Sequence, residues 1–551
     1  MPDGAIYLKP PELAIINGDI CTMEPLSARV TALAVTGGRI SKLGANGEIM
    51  AVAESGTRVI DAGGRLVLPG FQDTHIHLQD GGLDHSHCAM LDSARSIGDI
   101  QQVMSEFSRS HARQWVNGVG WYTGIFTSDN LDRQVLDAAV PDRPCYIVAS
   151  DGHNACLNTR ACRLIGLEQG TPDPENGHFV VDGRGMPTGM LHENAISWAE
   201  ARMPSPTDAD YANGVRFGQA LCNRHGITGV IDASVNERHA RVYRSLERAG
   251  ELTLRVAATA KVTSAESTES ALERLQSLRR ENNSTMFKVH SVKFFLDGVL
   301  ENRTGVMLKP YSDSLGGNGL LMFGDNQVRD LFTAFDAARF QIHVHAIGDG
   351  AVRAALDGLE AARLVNGPWP SLHQIAHVQC IDPADVPRFR QLGAMANIQT
   401  LWARHEPSVT DVALPMVGQE RGKWVYAFRS LIDAGAHYAI SSDWGVSTLN
   451  PFQIMETAIT RQPPGRHGEH PVFLPEQRMT REECVRGYTQ SAAQAAWRDQ
   501  DTGSLSVGKY ADLIILDRNI FTCDVYDIGD TEVLLTILGG REVHRARSFR
   551  G

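Results

Sequence analysis

Short β-rich runs alternate with glycine turns at both ends of the chain. In the first part the runs are residues 13–16, 32–35 and 39–43, and the turns include Asn17-Gly18 and Gly37-Gly38. Alternation of this kind is typical of antiparallel hairpins. The same pattern returns in residues 511–517 and 533–540. Because chain ends often lie close together in space, we predict one small β-sandwich domain built from residues 1–66 and 506–551.

Between these ends, apolar strand-like runs alternate with helix-like segments. The eight runs are residues 66–71, 227–233, 254–261, 291–296, 341–345, 374–378, 395–399 and 438–442. The alternation is typical of a parallel α/β sheet or barrel, and eight strands are the number that a TIM barrel needs. We therefore predict an α/β fold with a (β/α)8 barrel over residues 67–505. The first interval is too long for one helix, so residues from about 80 to 210 are predicted to form an insertion over the barrel mouth.

Composition and charge narrow the class of protein. The chain has 551 residues and a formal charge of −12, so it offers no basic face to nucleic-acid phosphates. No run approaches the roughly 20 apolar residues of a membrane span, and the first residues lack the features of a signal peptide. The nine cysteines include no CxxC pair, which is typical of reduced thiols. We expect a cytoplasmic, globular protein with no nucleic-acid or membrane partner.

Histidine and aspartate recur where the predicted barrel strands end, which is where TIM barrels carry their catalytic residues. His75 and His77 follow the first run and, two residues apart on a strand, point to the same side. His345, His377 and Asp443 stand at the ends of runs five, six and eight. Four imidazoles and a carboxylate suit Zn²⁺ or a similar divalent ion with one position left open for water. The sequence thus predicts a metal site made of these five residues.

Other polar residues near these positions have ordinary structural interpretations. Two further His-x-His pairs occur, His85/His87 and His343/His345, and only the second lies at a strand end. We expect His85 and His87 to face solvent or line a gate. We expect Asp349, which follows run five, to cap a helix or to hydrogen-bond His345.

Several longer motifs are distributed along nearly the whole chain. Those of the barrel and the C-terminal part are Pro69-Gly70-Phe71-Gln72-Asp73-Thr74-His75-Ile76-His77, His345-Ala346-Ile347-Gly348-Asp349-Gly350-Ala351-Val352, Ser442-Asp443-Trp444 and Val507-Gly508-Lys509-Tyr510-Ala511-Asp512-Leu513. Those of the insertion are Gly120-Trp121, Pro141-Asp142-Arg143-Pro144, Asp151-Gly152-His153 and Pro187-Thr188-Gly189. Together they resemble the amidohydrolase superfamily and, within it, the YtcJ-like group that includes N-substituted formamide deformylases. The resemblance implies a metal-dependent hydrolase.

This resemblance adds a lysine to the predicted site. Lys293, in the fourth run, stands where many superfamily members carry a lysine that CO₂ converts to a carbamate bridging two metal ions. A lysine buried beside Phe294, Phe295 and two cations loses its proton readily. The implied cofactor is therefore one or two divalent ions, Zn²⁺ first among them, with a carboxylated Lys293. The alternative is that Lys293 pairs with Asp297.

The implied reaction is hydrolysis by a metal-activated water. A divalent ion lowers the pKa of bound water towards about 7. Asp443 would accept the proton of the water and return it to the leaving nitrogen. His153 and Arg303 are further catalytic candidates, as groups that hold the oxyanion. The predicted substrate is a small neutral molecule with an amide-type C–N bond.

Aromatic and unusual polar residues are candidates for the substrate pocket. They are Trp121 in the insertion and Glu301, Asn302, Trp402 and Trp444 on the barrel loops. An aromatic lining favours an apolar or aromatic substrate group, since ligand pockets are mostly apolar. Glu301 and Asn302 depart from the small residues that YtcJ-like sequences have before Arg-Thr, and Gly445 departs from their proline.

Two other functions stay open on the sequence. A decarboxylase or another lyase could use the same metal site, because a fold does not fix a reaction. A catalytically inactive scaffold is the second alternative, although such a protein would be expected to lose metal ligands and none of the five is missing. The expected partner is a small-molecule substrate, and the sequence allows a homodimer.

Overall fold

The computed structural model describes residues 9–24, 29–121, 131–150, 152, 154–175, 177–301, 303–313, 317–465 and 468–551. Two predicted site residues, His153 and Asn302, lie outside the described residues. The chain divides into two compact units, of which unit 1 comprises Met1–His77 and Gln219–Gly551 and unit 2 comprises Leu78–Gly218. In the segments that the structure describes, no helix combines the length and the apolar character needed to cross a membrane.

Strands and helices are numbered here in chain order. The strands are β1 (Leu13–Ile16), β2 (Asp19–Ile20), β3 (Ala32–Thr36), β4 (Arg39–Gly44), β5 (Arg58–Asp61), β6 (Leu66–Pro69), β7 (Phe71–Ile76), β8 (Cys88–Met90), β9 (Val116–Trp121), β10 (Cys145–Ala149), β11 (Asn154–Leu157), β12 (Gly177–Val181), β13 (Pro187–Glu193), β14 (Ile227–Val235), β15 (Arg255–Lys261), β16 (Phe287–Phe295), β17 (Gln341–Ala346), β18 (Gln374–His377), β19 (Met395–Ile398), β20 (His437–Ile440), β21 (Leu513–Leu516), β22 (Val533–Leu538) and β23 (Arg541–Arg545). The helices are α1 (Asn46–Met50), α2 (Leu78–His87), α3 (Ile97–Ser110), α4 (Arg133–Ala139), α5 (Thr159–Ile165), α6 (Asn194–Glu200), α7 (Asp208–Arg224), α8 (Glu237–Arg248), α9 (Thr268–Glu281), α10 (Asp325–Ala337), α11 (Asp349–Asn366), α12 (Val386–Leu392), α13 (Leu414–Val417), α14 (Gln419–Gly422), α15 (Phe428–Asp433), α16 (Pro451–Thr460), α17 (Arg481–Tyr488) and α18 (Gln490–Ala495).

Eight parallel strands form the barrel of unit 1, in the order β7-β14-β15-β16-β17-β18-β19-β20. Just beyond the carboxyl ends of the first and last strands, the backbone N–H of Asp443 donates to the carbonyl of His75 at 2.9 Å. The N–H of His77 donates to the carbonyl of Trp444 at 2.6 Å. The predicted (β/α)8 fold is confirmed. Its first and last strands, β7 and β20, meet where the predicted metal ligands lie.

Polar caps define where several barrel helices begin. The side chain of Asn236 accepts a hydrogen bond from the N–H of His239 at the start of α8. Ser267 does the same for α9, and Asn450 for α16. Each cap pairs a backbone N–H that has no partner within its helix. The strands, in contrast, are buried along nearly their whole length because helices cover the outer face of a parallel barrel.

The strands at the two chain ends form two further sheets in unit 1. Their strand orders are β4-β3-β1-β5 and β2-β6-β21-β22-β23. One apolar core joins the two sheets and includes Ile15, Val35, Leu513 and Ile537. This arrangement confirms the predicted β-sandwich in which both ends of the chain take part.

The first barrel strand differs from the prediction. The sequence predicts residues 66–71 as this strand, which is wrong, because β6 pairs with β2 and β21 in a terminal sheet and β7 begins only at Phe71. Gly70 separates the two strands, and a Cβ there would collide with the side chain of Thr228. The apolar run belongs to β6, whereas β7 carries four polar residues between Phe71 and Ile76, so hydrophobicity alone does not reveal it as a barrel strand. Each of the other seven predicted runs overlaps a barrel strand.

Unit 2 corresponds to the insertion after the first barrel strand. Its six strands form one mixed sheet in the order β12-β13-β11-β10-β9-β8. It has apolar clusters of its own, one of which contains Trp121 and Ile147. The sequence analysis predicts an insertion here but no separate sheet. Its placement over the barrel mouth stays a prediction.

Candidate metal centre

Three side chains at the carboxyl ends of barrel strands bring ligand atoms together. One ligand atom each of His75, His377 and Asp443 lies within 4.8 Å of the other two. His75 belongs to β7, His377 ends β18, and Asp443 follows β20. All three side chains are buried. The structure therefore brings together three of the residues that the sequence predicts as metal ligands.

His77 adjoins this group through Asp443. The Nε2 atoms of His77 and His75 lie 3.3 Å and 3.6 Å from Asp443 Oδ1. That oxygen is buried, yet it accepts no hydrogen bond of good geometry from any residue that the structure describes. A buried carboxylate oxygen among imidazole nitrogens is costly unless a cation satisfies it. The donor set therefore fits a divalent metal ion.

His345 reaches the group from the neighbouring strand β17. Its ring centroid lies 4.5 Å from that of His377. Its Nε2, however, donates to the carbonyl of Gly298 at 3.1 Å and lies 3.6 Å from Asp297 Oδ1. In this arrangement Nε2 of His345 faces the loop after β16. His345 could therefore bind the predicted metal ion only through Nδ1 or after rotation of its ring.

Lys293 lies inside the barrel and in contact with the predicted ligands. Its Nζ is 3.1 Å from His75 Nε2 and 4.8 Å from the ring centroid of Phe295. The side chain is fully buried, and burial lowers the pKa of the amine to about 7. Burial thus favours the unprotonated amine of Lys293, which is the form that reacts with CO₂.

Asp297 is occupied by backbone groups and not by Lys293. Its carboxylate accepts hydrogen bonds from the N–H groups of Val306, Ile347 and Gly348 at 2.9–3.0 Å. Burial raises the pKa of Asp297 to about 7 although these hydrogen bonds oppose the shift. Among the described residues no ion pair joins it to Lys293, so the alternative of a Lys293–Asp297 pair is wrong. Instead, Asp297 ties together the loops after β16 and β17.

The role expected for Asp349 is also wrong. Its Oδ1 accepts a hydrogen bond from the N–H of Leu308 at 2.7 Å. Gly348, not Asp349, is the N-cap of α11. The carboxylate beside His345 belongs to Asp297. Asp349 is close to His345 in the sequence, which made it the expected hydrogen-bond partner. Asp297, the carboxylate that lies beside His345, follows a different strand.

Burial and mutual charge determine how the site is ionised. Burial alone would raise the pKa of Asp443, but the close polar contact with His77 and the charges of His77, His377 and Lys293 outweigh it and hold this pKa at about 2. Burial lowers the pKa of His377 to about 4 and that of His75 well below its usual range. At neutral pH Asp443 is thus ionised and His75 and His377 are neutral, which are the forms that bind metal. Burial would lower the pKa of His77, but the neighbouring Asp443 carboxylate outweighs it and raises this pKa.

Two predicted ligands have polar partners that the sequence analysis missed. His343 Nε2 lies 2.9 Å from His75 Nδ1, and Gln399 Oε1 lies 2.9 Å from His377 Nδ1. Partners of this kind fix the orientation of ligand imidazoles. These partners could have been suspected from the sequence, because polar residues stand in barrel strands at positions where apolar residues are usual.

The backbone is strained at the same place. His377 and Val378 have φ angles of 77° and 45°, and Asp443 has a φ of 53°. Such conformations cost non-glycine residues about 1–3 kcal/mol each and persist where the surroundings enforce them. Here Val378 N–H donates to the carbonyl of Ala346 at 3.0 Å, and Asp443 N–H to that of His75. The strain therefore falls on the residues that carry the ligand atoms.

The predicted pocket residues lie in different surroundings. The ring of Trp402 stacks on His377, with centroids 5.6 Å apart and planes at 16°. Trp444 is buried, and burial raises the pKa of Glu301. Trp121 is buried in a core cluster of unit 2. Trp402 thus contacts the predicted ligand His377 directly.

Arg303 and the second histidine pair take part in other contacts. Arg303 Nε donates to Asp313 Oδ2 at 2.9 Å, so its guanidinium is held in an ion pair. Within unit 2, His85 stacks on Phe217 at 5.7 Å. His87 is 8% exposed and contacts Arg113, so it does not face solvent, and the alternative that it lines a gate stays a prediction.

Comparison with known proteins agrees with this geometry. The family described as the amidohydrolase family matches residues 58–544. Protein LONG AFTER FAR-RED 3 of Arabidopsis thaliana is 27% identical over 97% of this chain and 91% of its own length. N-substituted formamide deformylase of Arthrobacter pascens is 26% identical over 96% of this chain and 97% of its own length.

A solved structure shares the fold as well. An uncharacterised metal-dependent hydrolase of Pyrococcus horikoshii superposes with a TM-score of 0.78 and 25% identity, covering 93% of this chain and 99% of that one. The family match spans the barrel strands, unit 2 and, of the terminal sheets, β5, β6 and β21 to β23. The chain belongs to the amidohydrolase family.

Proposed function

We propose that this protein is a metal-dependent hydrolase that cleaves an amide-type C–N bond in a small, neutral molecule with an apolar or aromatic group. The observation that carries the proposal is the convergence of His75, His377 and Asp443 at the carboxyl end of the barrel. This is the end at which TIM barrels act. A buried, ionised carboxylate and neutral imidazoles serve metal binding better than they serve stability, because unpaired buried charge is costly.

The residues that would hold the metal are His75, His77, His345, His377 and Asp443. Zn²⁺ suits this mixture of imidazole and carboxylate. When bound, a divalent ion supplies a Lewis acid that makes water acidic enough to attack near neutral pH. A carboxylated Lys293 would add an anionic ligand and allow a second ion.

Asp443 is placed to move a proton. Its low pKa keeps the carboxylate ionised at neutral pH, so it can accept a proton. His77 Nε2 lies 3.3 Å away and can exchange a proton with it. In the proposed reaction Asp443 takes the proton of the attacking water and returns it to the leaving nitrogen. Arg303, and His153 outside the described residues, are the proposed oxyanion contacts.

Recognition of the substrate falls to aromatic and polar residues near the ligands. Trp402 stacks on His377, so an apolar group of a substrate bound at the metal would meet this indole. The amide class is supported by the relative named N-substituted formamide deformylase, which matches 96% of this chain. Glu301 and Trp444, with Asn302 outside the described residues, complete the proposed pocket.

The test combines metal analysis with a turnover screen. Protein purified without chelator is analysed for metal and then assayed on N-formyl, N-acyl and cyclic amides for released amine. We expect bound divalent metal and amine release, and both should be lost in His377→Asn. His437→Asn is the matched control, because His437 is exposed at the amino end of β20. Full amine release by metal-free protein, or CO₂ release without amine, would contradict the proposal.

A further inference from the structure

Buried amide side chains run along the inside of the barrel towards His377. Gln341 and Gln374 begin β17 and β18, Asn397 lies in β19, and Gln399 follows β19. The four amides are at most 1% exposed. A buried amide has to pair both its oxygen and its NH₂ group, so its partners determine which way it points.

Backbone carbonyls orient the first two amides. Gln341 Nε2 donates to the carbonyls of Leu372 and Ala495, each at 2.9 Å. Ala495 ends α18, and the last carbonyls of a helix have no partner within it. Because a carbonyl only accepts, the oxygen of Gln341 faces the other way, and Gln374 Nε2 donates to it at 2.8 Å. The oxygen of Gln374 is then turned towards Asn397.

Asn397 carries this orientation further. Its Nδ2 donates to Gln374 Oε1 at 2.8 Å and to the carbonyl of Thr74 at 3.0 Å. Its Oδ1 accepts from Ser441 Oγ at 2.6 Å and from Gln399 Nε2 at 3.1 Å. Gln399 Nε2 also donates to Ser441 Oγ at 2.7 Å. Both hydrogens of the Gln399 amide are thus used, and its oxygen points away from Asn397.

This last oxygen meets the predicted metal ligand. Gln399 Oε1 lies 2.9 Å from His377 Nδ1. An amide oxygen only accepts, so Nδ1 carries the proton of the neutral ring and Nε2 keeps its lone pair. An imidazole binds a metal ion through the nitrogen that has no proton.

We propose that the chain of amides from Gln341 to Gln399, anchored on backbone carbonyls, fixes the Nδ1–H tautomer of His377 and so keeps its Nε2 free for a metal ion. Gln399 and Asn397 are then positioning residues of the site. The link to metal rests on the proposed function. The tautomer does not, since it belongs to the chain itself.

The direct test is nuclear magnetic resonance of metal-free protein labelled with ¹⁵N-histidine. The signals of His377 are assigned by their loss in His377→Gln. We expect a protonated Nδ1 and an unprotonated Nε2 in the parent protein. In Asn397→Leu, where Gln399 loses one acceptor, we expect the second tautomer to appear as well. A parent protein with its proton on Nε2 would overturn the proposal, and this result requires no variant to fold other than the one used for assignment.

Metal affinity gives the second readout. Gln399→Met removes the acceptor and should weaken Zn²⁺ binding, measured by competition with a chelator, by about 10–100-fold, the usual effect of losing such a partner. Gln399→Glu, protonated in this buried place, keeps one acceptor and one donor and should stay within about threefold of the parent.

The matched control is Gln219→Met. Gln219 is also a buried glutamine. Its side-chain amide, however, donates a hydrogen bond to the carbonyl of Glu251 and accepts one from the N–H of Thr253, both of which precede β15. Equal Zn²⁺ affinity in Gln399→Met and Gln219→Met, or a Gln399→Glu variant as weak as Gln399→Met, would overturn the positioning role. A parent protein that binds no metal but shows the Nδ1–H tautomer would contradict the proposed function and not the tautomer.

Discussion

Two lysines of one strand show how position decides the chemistry of a side chain. Lys288 and Lys293 both lie on β16, and burial lowers the pKa of each to about 7. Lys288 donates to the carbonyl of Trp497, whereas Lys293 lies against His75. Both amines are therefore nucleophilic near neutral pH, but only the product of Lys293 would be stabilised by a neighbouring metal.

This contrast leads to a first prediction. Lys293→Met should lose one metal equivalent and slow turnover by about 10²-fold or more, because several kcal/mol of charge stabilisation is removed. Lys288→Met should keep both metal content and rate. Elemental analysis and crystallographic density at Nζ provide the check. A bare ammonium on Lys293 in metal-loaded crystals would rule out the carbamate.

Asp443 allows a second prediction at the scale of one residue. Asp443→Asn keeps the shape of the side chain but removes its charge and its ability to take a proton. The rate should fall by about 10²–10⁴-fold, the usual range for general acid–base catalysis. Amine release at saturating substrate, measured alongside the melting temperature, separates this effect from unfolding. A variant within a few-fold of the parent would move the proton transfer to another residue.

At the scale of elements, the carboxylate of Asp336 connects helix α10 to the segment that precedes β18 through hydrogen bonds. Asp336, near the end of α10, accepts hydrogen bonds from Asn366, Trp369 and His373. Burial would raise the pKa of Asp336, but these hydrogen bonds and the charge of His373 outweigh it and lower the pKa. Since β18 ends in His377, this contact supports the strand that carries a predicted ligand.

The lowered pKa gives a third prediction, with a definite sign. A carboxylate with a depressed pKa stabilises the fold above its unfolded pKa of about 3.9, and the contribution is lost as the pH falls through the folded value. Asp336→Asn should therefore lower the free energy of unfolding by about 1.5–3 kcal/mol at pH 7, and by less below pH 3. Urea unfolding at both pH values measures this. Asp330→Asn, an exposed position of α10, is the control and should change little at either pH.

The elements themselves could largely be predicted from the sequence. Seven barrel strands were found because a strand covered on both faces reads as an apolar run. The division of residues 66–76 into β6 and β7 could not be read in this way, since β7 is mostly polar and its place in the barrel depends on its pairing with β14. The sheet of unit 2 was missed for a similar reason, because strand pairing within an insertion depends on contacts far apart in sequence.

The site could be predicted in part. His75, His377 and Asp443 were found because polar residues at strand ends are conspicuous in an apolar barrel. Gln399 and Asp297 were missed, since their roles depend on which backbone and side-chain groups other strands bring beside them. Residue type and spacing thus identify candidate ligands, whereas their polar partners require the three-dimensional arrangement.

For the molecule as a whole, the candidate centre connects strands that are distant in sequence. Its ligand atoms come from β7, β18 and the end of β20. A metal that binds the folded state and not the unfolded chain adds stability, about 2.7 kcal/mol at a free concentration 100 times its dissociation constant. Bound metal should therefore behave as a cross-link of the barrel.

The fourth prediction follows from this coupling. Removal of metal with a chelator should lower the melting temperature of the parent protein, and added Zn²⁺ should restore it. His377→Asn should melt at the same temperature with and without chelator, because it lacks a ligand. Differential scanning calorimetry measures both. A parent protein that melts identically in chelator and in Zn²⁺ would show that metal does not stabilise the barrel.

The hydrogen bonds between His75 and Asp443, and between His77 and Trp444, have a consequence for the order of synthesis. A ribosome completes β7 more than 350 residues before it reaches Asp443. Until then the growing chain holds histidines of the site, His75 and His77 first and His345 and His377 later, but not the Asp443 carboxylate that completes it. Tight metal binding therefore has to wait until the last barrel strand has been synthesised. The chain can take up the ion only when most of it is complete. In refolding experiments, the colour of bound Co²⁺ should appear only once the first and last barrel strands have met, which makes the metal a reporter of barrel closure.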